Sequence, residues 1–187
     1  MNMKKFLVLA LAAFAALSLS AQTKIGRVNF SELVQLMPEA DEARATMQAA
    51  SKEAEETIQS MVEEFQSKYQ QYQQKASSWT AAIKEAKEKE LTDIQNRVQE
   101  FQQTVQQELQ QQQNQLMAPI YEKAQEAVKK LAKANNLTAV FDSTSALYFD
   151  EATTVDLTKD ARKALNIKDD RTLESLQQEL QAAAQAQ

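Results

Sequence analysis

The chain contains no cysteine and no histidine, which removes disulfides, thiol nucleophiles, imidazole bases and ordinary zinc sites from its chemistry. It has one glycine, Gly26, and two prolines, Pro38 and Pro119. A phosphate-cradling loop and a dinucleotide fingerprint each need several glycines at fixed spacing, so neither can be written anywhere in this sequence. Most enzyme classes leave with these residues. Positive charge is also scarce, with 21 Lys and Arg against 26 Asp and Glu, and this balance argues against nucleic acid as a partner.

What is present begins with Lys4-Lys5, the apolar run Phe6 to Leu17 and the small residues Ser18-Leu19-Ser20-Ala21, the pattern of a cleaved export signal over residues 1–21. The apolar run is short for a membrane span, and no cysteine stands at the expected cleavage site to carry a lipid. Without Lys4 and Lys5 the mature chain has 19 basic residues against 26 acidic ones, a net charge of −7.

Between Pro38 and Pro119 no glycine or proline interrupts the sequence, and its midpoint falls at Ser77-Ser78-Trp79-Thr80, its poorest helix-forming stretch. Before that point Ala40, Ala43, Met47, Ala50, Ala54, Ile58, Met61, Phe65, Tyr69, Tyr72, Ala76 and Trp79 recur at spacings of three and four. After it Ile83, Ala86, Leu91, Ile94, Val98, Phe101, Val105, Leu109, Gln112, Leu116 and Ile120 do nearly the same. Both are coiled-coil seams, each a single apolar stripe that needs a partner helix. The nearest partner is the other stripe, so residues 38–119 are expected to form an antiparallel helical hairpin with arms of roughly 60 Å at 1.5 Å per residue. Pro119 lies within the returning pattern, where a bend is expected. Trp79 is in register with the stripe and is read as closing the turn; exposed at the tip, it would instead be a contact residue.

Outside the hairpin, Lys24 to Phe30 reads as a strand, with Ser31 as the cap of a brief helix Glu32 to Met37. Leu137 to Phe141 and Ala146 to Phe149, joined by Asp142-Ser143-Thr144-Ser145, read as a β-hairpin. Asn135-Asn136 is a left-handed helix terminator. Helical segments follow near Leu157 to Leu165 and Leu173 to Leu180, and the alanine and glutamine tail from Gln181 is expected to fray. Asp142, Asp150, Glu151 and Asp156 could be imagined as metal ligands or an acid and base pair, but strand ends and helix caps account for acids there, and no calcium-loop pattern is present. One strand and one hairpin are too little sheet to stand alone, which points to self-association that covers the edges.

The order of Ile25-Gly26-Arg27-Val28-Asn29, Leu36-Met37-Pro38-Glu39-Ala40, a long hairpin, Leu116-Met117-Ala118-Pro119-Ile120 and Val140-Phe141-Asp142 resembles the Skp/OmpH family of periplasmic chaperones, from Lys24 to about Ile167. The fold expected is mainly α with a small β body: a long antiparallel coiled-coil hairpin on a short-stranded sheet, completed by homotrimerisation. Its parts would be the signal peptide at 1–21, the β-rich trimerisation body at 22–37 and 120–167, the arm at 38–119 and a helical, Gln- and Ala-rich tail at 168–187. The resemblance implies a periplasmic, ATP-independent holdase that keeps unfolded outer-membrane proteins from aggregating between its arms, with no catalysis and no cofactor or metal. Carried over by position, the strand residues Ile25, Val28, Phe30, Val140, Phe141, Leu147 and Tyr148 would build the trimer body. Pro38 and Pro119 would be the arm hinges, and Val62, Tyr69, Tyr72, Trp79 and Met117 candidate client contacts. Family members can be strongly basic, whereas residues 39–118 here hold eight basic and fourteen acidic residues, which argues against lipopolysaccharide or membrane-surface binding. The alternative is a structural coiled-coil spacer of the cell envelope without chaperone activity.

Overall fold

The computed structural model describes residues 24–185, so the expected export signal at 1–21 lies outside the described residues. The elements are β1 (Ile25–Val28), α1 (Phe30–Leu36), α2 (Pro38–Lys75), a 3-10 turn (Ala76–Ser78), α3 (Ala81–Ala134), β2 (Ala139–Asp142), β3 (Thr154–Asp156), α4 (Thr158–Ala164) and α5 (Leu173–Gln185). They fall into two compact units: an arm, Pro38–Glu122, and a body formed by the described residues that flank it on both sides.

The body is built on a three-stranded sheet of order β2-β1-β3, with β1 parallel to both neighbours. Ile25 faces Ala139 on one side and Thr154 on the other. Gly26 is required by this closeness: a Cβ there would stand 2.7 Å from Leu137 Cδ1 and 3.2 Å from Val140 Cγ2. The expected hairpin between Leu137–Phe141 and Ala146–Phe149 does not form. Asp142 Oδ1 accepts from both the N–H (2.8 Å) and the hydroxyl (2.7 Å) of Thr144, a local turn that ends β2. The run Ala146–Phe149 then makes no ladder, and the second edge of β1 is taken by Thr154–Asp156 instead. Parallel neighbours need a long crossover, and the arm with its flanking helices lies between β1 and β2 in sequence.

The cap of α1 is Asn29 rather than Ser31. Its Oδ1 accepts from the N–H of Glu32 (3.1 Å) while its Nδ2 donates to Glu32 Oε2 (3.0 Å), a reciprocal arrangement that satisfies an otherwise unpaired helix donor. Phe30 therefore opens the helix and is not a strand residue. Met37 is extended at φ −63°, ψ 141°, as the residue before a proline prefers, and α2 begins at Pro38. At the other end of the arm, α3 continues unbroken through Pro119 and stops at Asn136, whose φ of 54° and bonds Asn136 N–H to Lys133 O and Leu137 N–H to Ala132 O form a left-handed stop. Asn166 ends α4 in the same way.

Leu33, Val34, Leu36 and Met37 join Leu157, Ala161, Leu165, Ile167 and Leu176 in the body's core. Arg162 bridges it on the polar side, donating to Glu32 Oε1 (2.9 Å) and to the carbonyls of Lys168 and Arg171, which ties α1 to the segment before α5. Arg171 in turn holds both carboxylate oxygens of Glu179. Helix α5 stays regular to Gln185, beyond the point at which the alanine and glutamine composition suggested fraying.

Candidate functional site

The arm is a pair of helices whose stripes meet side by side. On the returning helix Ile94 is buried, and Leu91, Val98, Phe101, Val105, Leu109 and Leu116 are half-buried, as their spacing predicted. Near the tip the seam departs from expectation, since Tyr69 and Ile83 are exposed. Polar links take over there: Lys68 donates to Glu90, Lys87 joins the same carboxylate at 2.8 Å, Arg97 pairs with Glu64 at 3.0 Å, and the Tyr72 hydroxyl donates to Glu88. The hydrogen bonds from Lys68 and Lys87 hold the Glu90 carboxyl at about 2, down from 4.5. Bonding to Glu90 raises Lys68, and bonding to Glu88 raises Tyr72.

Among the candidate contact residues of the arm, Tyr69 is exposed and stacks on Phe65 at 5.9 Å. Val62 and Met117 are half-buried. Trp79 folds back, half-buried, with its ring edge-on to Tyr72 at 5.9 Å. Sequence spacing could not reveal that the seam is slack between these points. A groove of about 310 Å³ opens between the two helices, with Ala50, Ala54, Phe101 and Val105 among its lining residues.

In the body, both outer strands of the sheet leave one edge without a ladder partner among the described residues. Phe141 is exposed on β2, and Leu147 and Tyr148 stand fully out in the loop that follows, as loop residues rather than the expected strand residues. Val28 is buried within its own chain, while Ile25, Phe30 and Val140 are half-buried. A second groove, of about 430 Å³, runs along this face, with Phe30, Val128, Ala132, Val140 and Phe141 in its wall.

The acids considered as ligands are spent on turns and pairs. Asp142 is lowered chiefly by the Thr144 hydroxyl. Asp150 accepts from the N–H of Ala152. Burial pushes Asp156 up, but bonds from Thr158 and the Arg27 guanidinium 3.1 Å away outweigh it and bring it down. Arg27 also reaches Glu151 at 3.8 Å and lies over the Phe149 ring.

Fold and surfaces together define the class: a small parallel-sheet body whose chain is interrupted by a long two-helix arm, with its surface chemistry in seams, edges and exposed aromatics. Residues 24–165 match the model of the family described as outer membrane protein (OmpH-like), and the chain belongs to that family. Among solved structures, a proposed outer membrane chaperone (OmpH-like) from Caulobacter crescentus has the same fold, with a TM-score of 0.70 at 13% identity over 78% of this chain and 85% of that one. No curated protein matches the sequence.

Proposed function

We propose that this protein is an ATP-independent periplasmic holdase that assembles as a homotrimer and shelters unfolded outer-membrane proteins between its arms. Membership of the OmpH-like family, with both body and arm inside the matched residues 24–165, carries the reading. The description of the Caulobacter crescentus neighbour as an outer membrane chaperone agrees with it. A long arm whose stripe is only half closed offers apolar surface to an unfolded chain without a deep pocket. The energy for release would have to come from the client's own folding, because the sequence has no glycine-rich phosphate loop.

Assembly would use the open sheet edges and the exposed Phe141, Leu147 and Tyr148, with Ile25, Val28 and Val140 in the strands behind them and Phe30 at the start of α1. Phe141→Asp should convert the oligomer to monomer in light scattering coupled to gel filtration. A wild-type chain that is monomeric at micromolar concentration would refute the trimer. Pro38 and Pro119 are the proposed hinges. Replacing Pro119 with alanine should narrow the spread of arm distances measured between spin labels, and an unchanged spread removes its hinge role.

The deciding experiment dilutes a denatured β-barrel protein into buffer with near-stoichiometric trimer and follows turbidity. A holdase suppresses aggregation without nucleotide. A structural spacer leaves turbidity unchanged and cofractionates with the envelope.

A further inference from the structure

The charge of the arm is unevenly placed. Residues 39–44 and 68–97 together hold seven acidic and seven basic residues, whereas 45–67 and 98–118 hold seven acidic residues and one basic, Lys52. The middle of the arm therefore carries the entire net charge of −6 of residues 39–118. Lys52 pairs with Glu56, and Glu64 is taken by Lys68 and Arg97. Glu53 and Glu108 have no cation partner among the described residues.

These two carboxylates, one from each helix, stand at the groove floored by Ala50, Ala54, Phe101 and Val105. Its volume of about 310 Å³ compares with the roughly 150 Å³ that accommodates a benzene ring in a dry protein cavity. We propose that the mid-arm groove takes an aromatic or branched aliphatic side chain of a client segment in which that side chain is flanked by Lys or Arg. The alanines make the space, Phe101 and Val105 line it, and Glu53 and Glu108 pair with the flanking cations. This deepens the holdase reading and rests on it: the charge of the groove selects cationic apolar segments and disfavours acidic ones.

The probe is a short fluorescein-labelled peptide of phenylalanine and leucine flanked by lysines, compared by anisotropy with the same peptide flanked by glutamates, using the purified oligomer. The lysine peptide should bind roughly tenfold more tightly, and the difference should shrink as salt rises from about 50 to about 500 mM. Glu53→Gln with Glu108→Gln should cut that preference roughly fivefold, while Glu55→Gln with Glu63→Gln, which removes equal charge elsewhere on α2, should leave most of it. Both pairs are exposed, so folding is not at stake.

Equal affinity for the two peptides overturns the proposal. Equal loss in the two double variants assigns the preference to the arm's general charge and also overturns it. Ala54→Trp, which fills the groove, should abolish binding of the lysine peptide. A changed oligomeric state in that variant would instead identify a second copy as the occupant and sink the client assignment. Suppressed aggregation with no peptide preference would leave the holdase standing and remove the groove. The preference without suppression would do the reverse.

Discussion

In the body, Leu33, Leu36, Met37, Leu157 and Leu165 are each reduced to 1% exposure or less, whereas the arm's buried residues are Ala40, Ala43, Ala54, Ile94 and Ile120, three of them alanines. The same chain thus holds one part together by volume and the other by periodicity. A core of leucines surrounded on all sides gains from every methylene and suffers from every void. A two-helix seam has only one covered side, so its members stay half-exposed, and its apolar groups remain available to something else. That division makes the body the fully packed part of the chain and the arm the part with apolar surface to spare.

The largest test of this contrast pairs a body variant with an arm variant. Leu157→Ala should lower stability by about 2–5 kcal/mol in denaturant titration, because a completely buried leucine leaves a cavity. Val105→Ala, at a half-buried seam position beside the groove, should lower it by about 1 kcal/mol or less. Equal losses would break the contrast and make the seam a core in its own right.

Gly26→Ala comes next. The new Cβ would press on Leu137 Cδ1, a side-chain end that can move, and on Val140 Cγ2, which is stiff because valine is branched at Cβ. The expected loss is about 1–3 kcal/mol, read as a lower melting temperature. Arm helicity should survive in circular dichroism below that transition. A melting temperature equal to wild type would mean that β1 and β2 can separate to admit a methyl group.

The two regions also differed in how much could be read in advance. The hairpin was legible because its information is local: a period of three and four, no breaker between Pro38 and Pro119, and weak helix formers at the turn. The sheet was misread because its information is not. Ala146–Phe149 has the composition of a strand, but whether it forms one depends on the edge of β1, more than a hundred residues earlier, and Thr154–Asp156 occupies that edge. Asn29 was overlooked as a cap because Ser31 has equal propensity; only Glu32, three residues after Asn29, marked the reciprocal pair. The mid-arm groove depends on which residues of the two helices face each other, a register that neither stripe specifies alone.

Asn29→Ala tests that missed cap and should remove about 1 kcal/mol. The loss is confined to the body, because the bonds broken lie within α1 and its entry. Thermal unfolding of Asn29→Ala beside Ser31→Ala checks the assignment: a larger effect at Ser31 would return the cap to the residue the sequence first suggested.

The smallest expected effect belongs to the arm tip, where charge takes the place of apolar packing. Glu90 is half-buried at the tip, and bonds from Lys68 and Lys87 hold its carboxyl at about 2 in the folded arm, against an ordinary value of 4.5. A group whose folded value is depressed contributes stability that is present above 4.5 and is lost as pH falls from there through about 2. Acid should therefore loosen the tip before it touches the body's leucine core, which contains no titrating group. Trp79 is the chain's single tryptophan and lies edge-on to Tyr72, so its fluorescence reports the tip alone. In wild type the signal should change between pH 4.5 and 2, and Glu90→Gln should flatten that change without altering the signal at pH 7 by unfolding the arm. If the two proteins trace the same curve, the Lys68–Glu90–Lys87 cluster does not hold the tip, and the edge-on contact of Trp79 with Tyr72 closes it unaided.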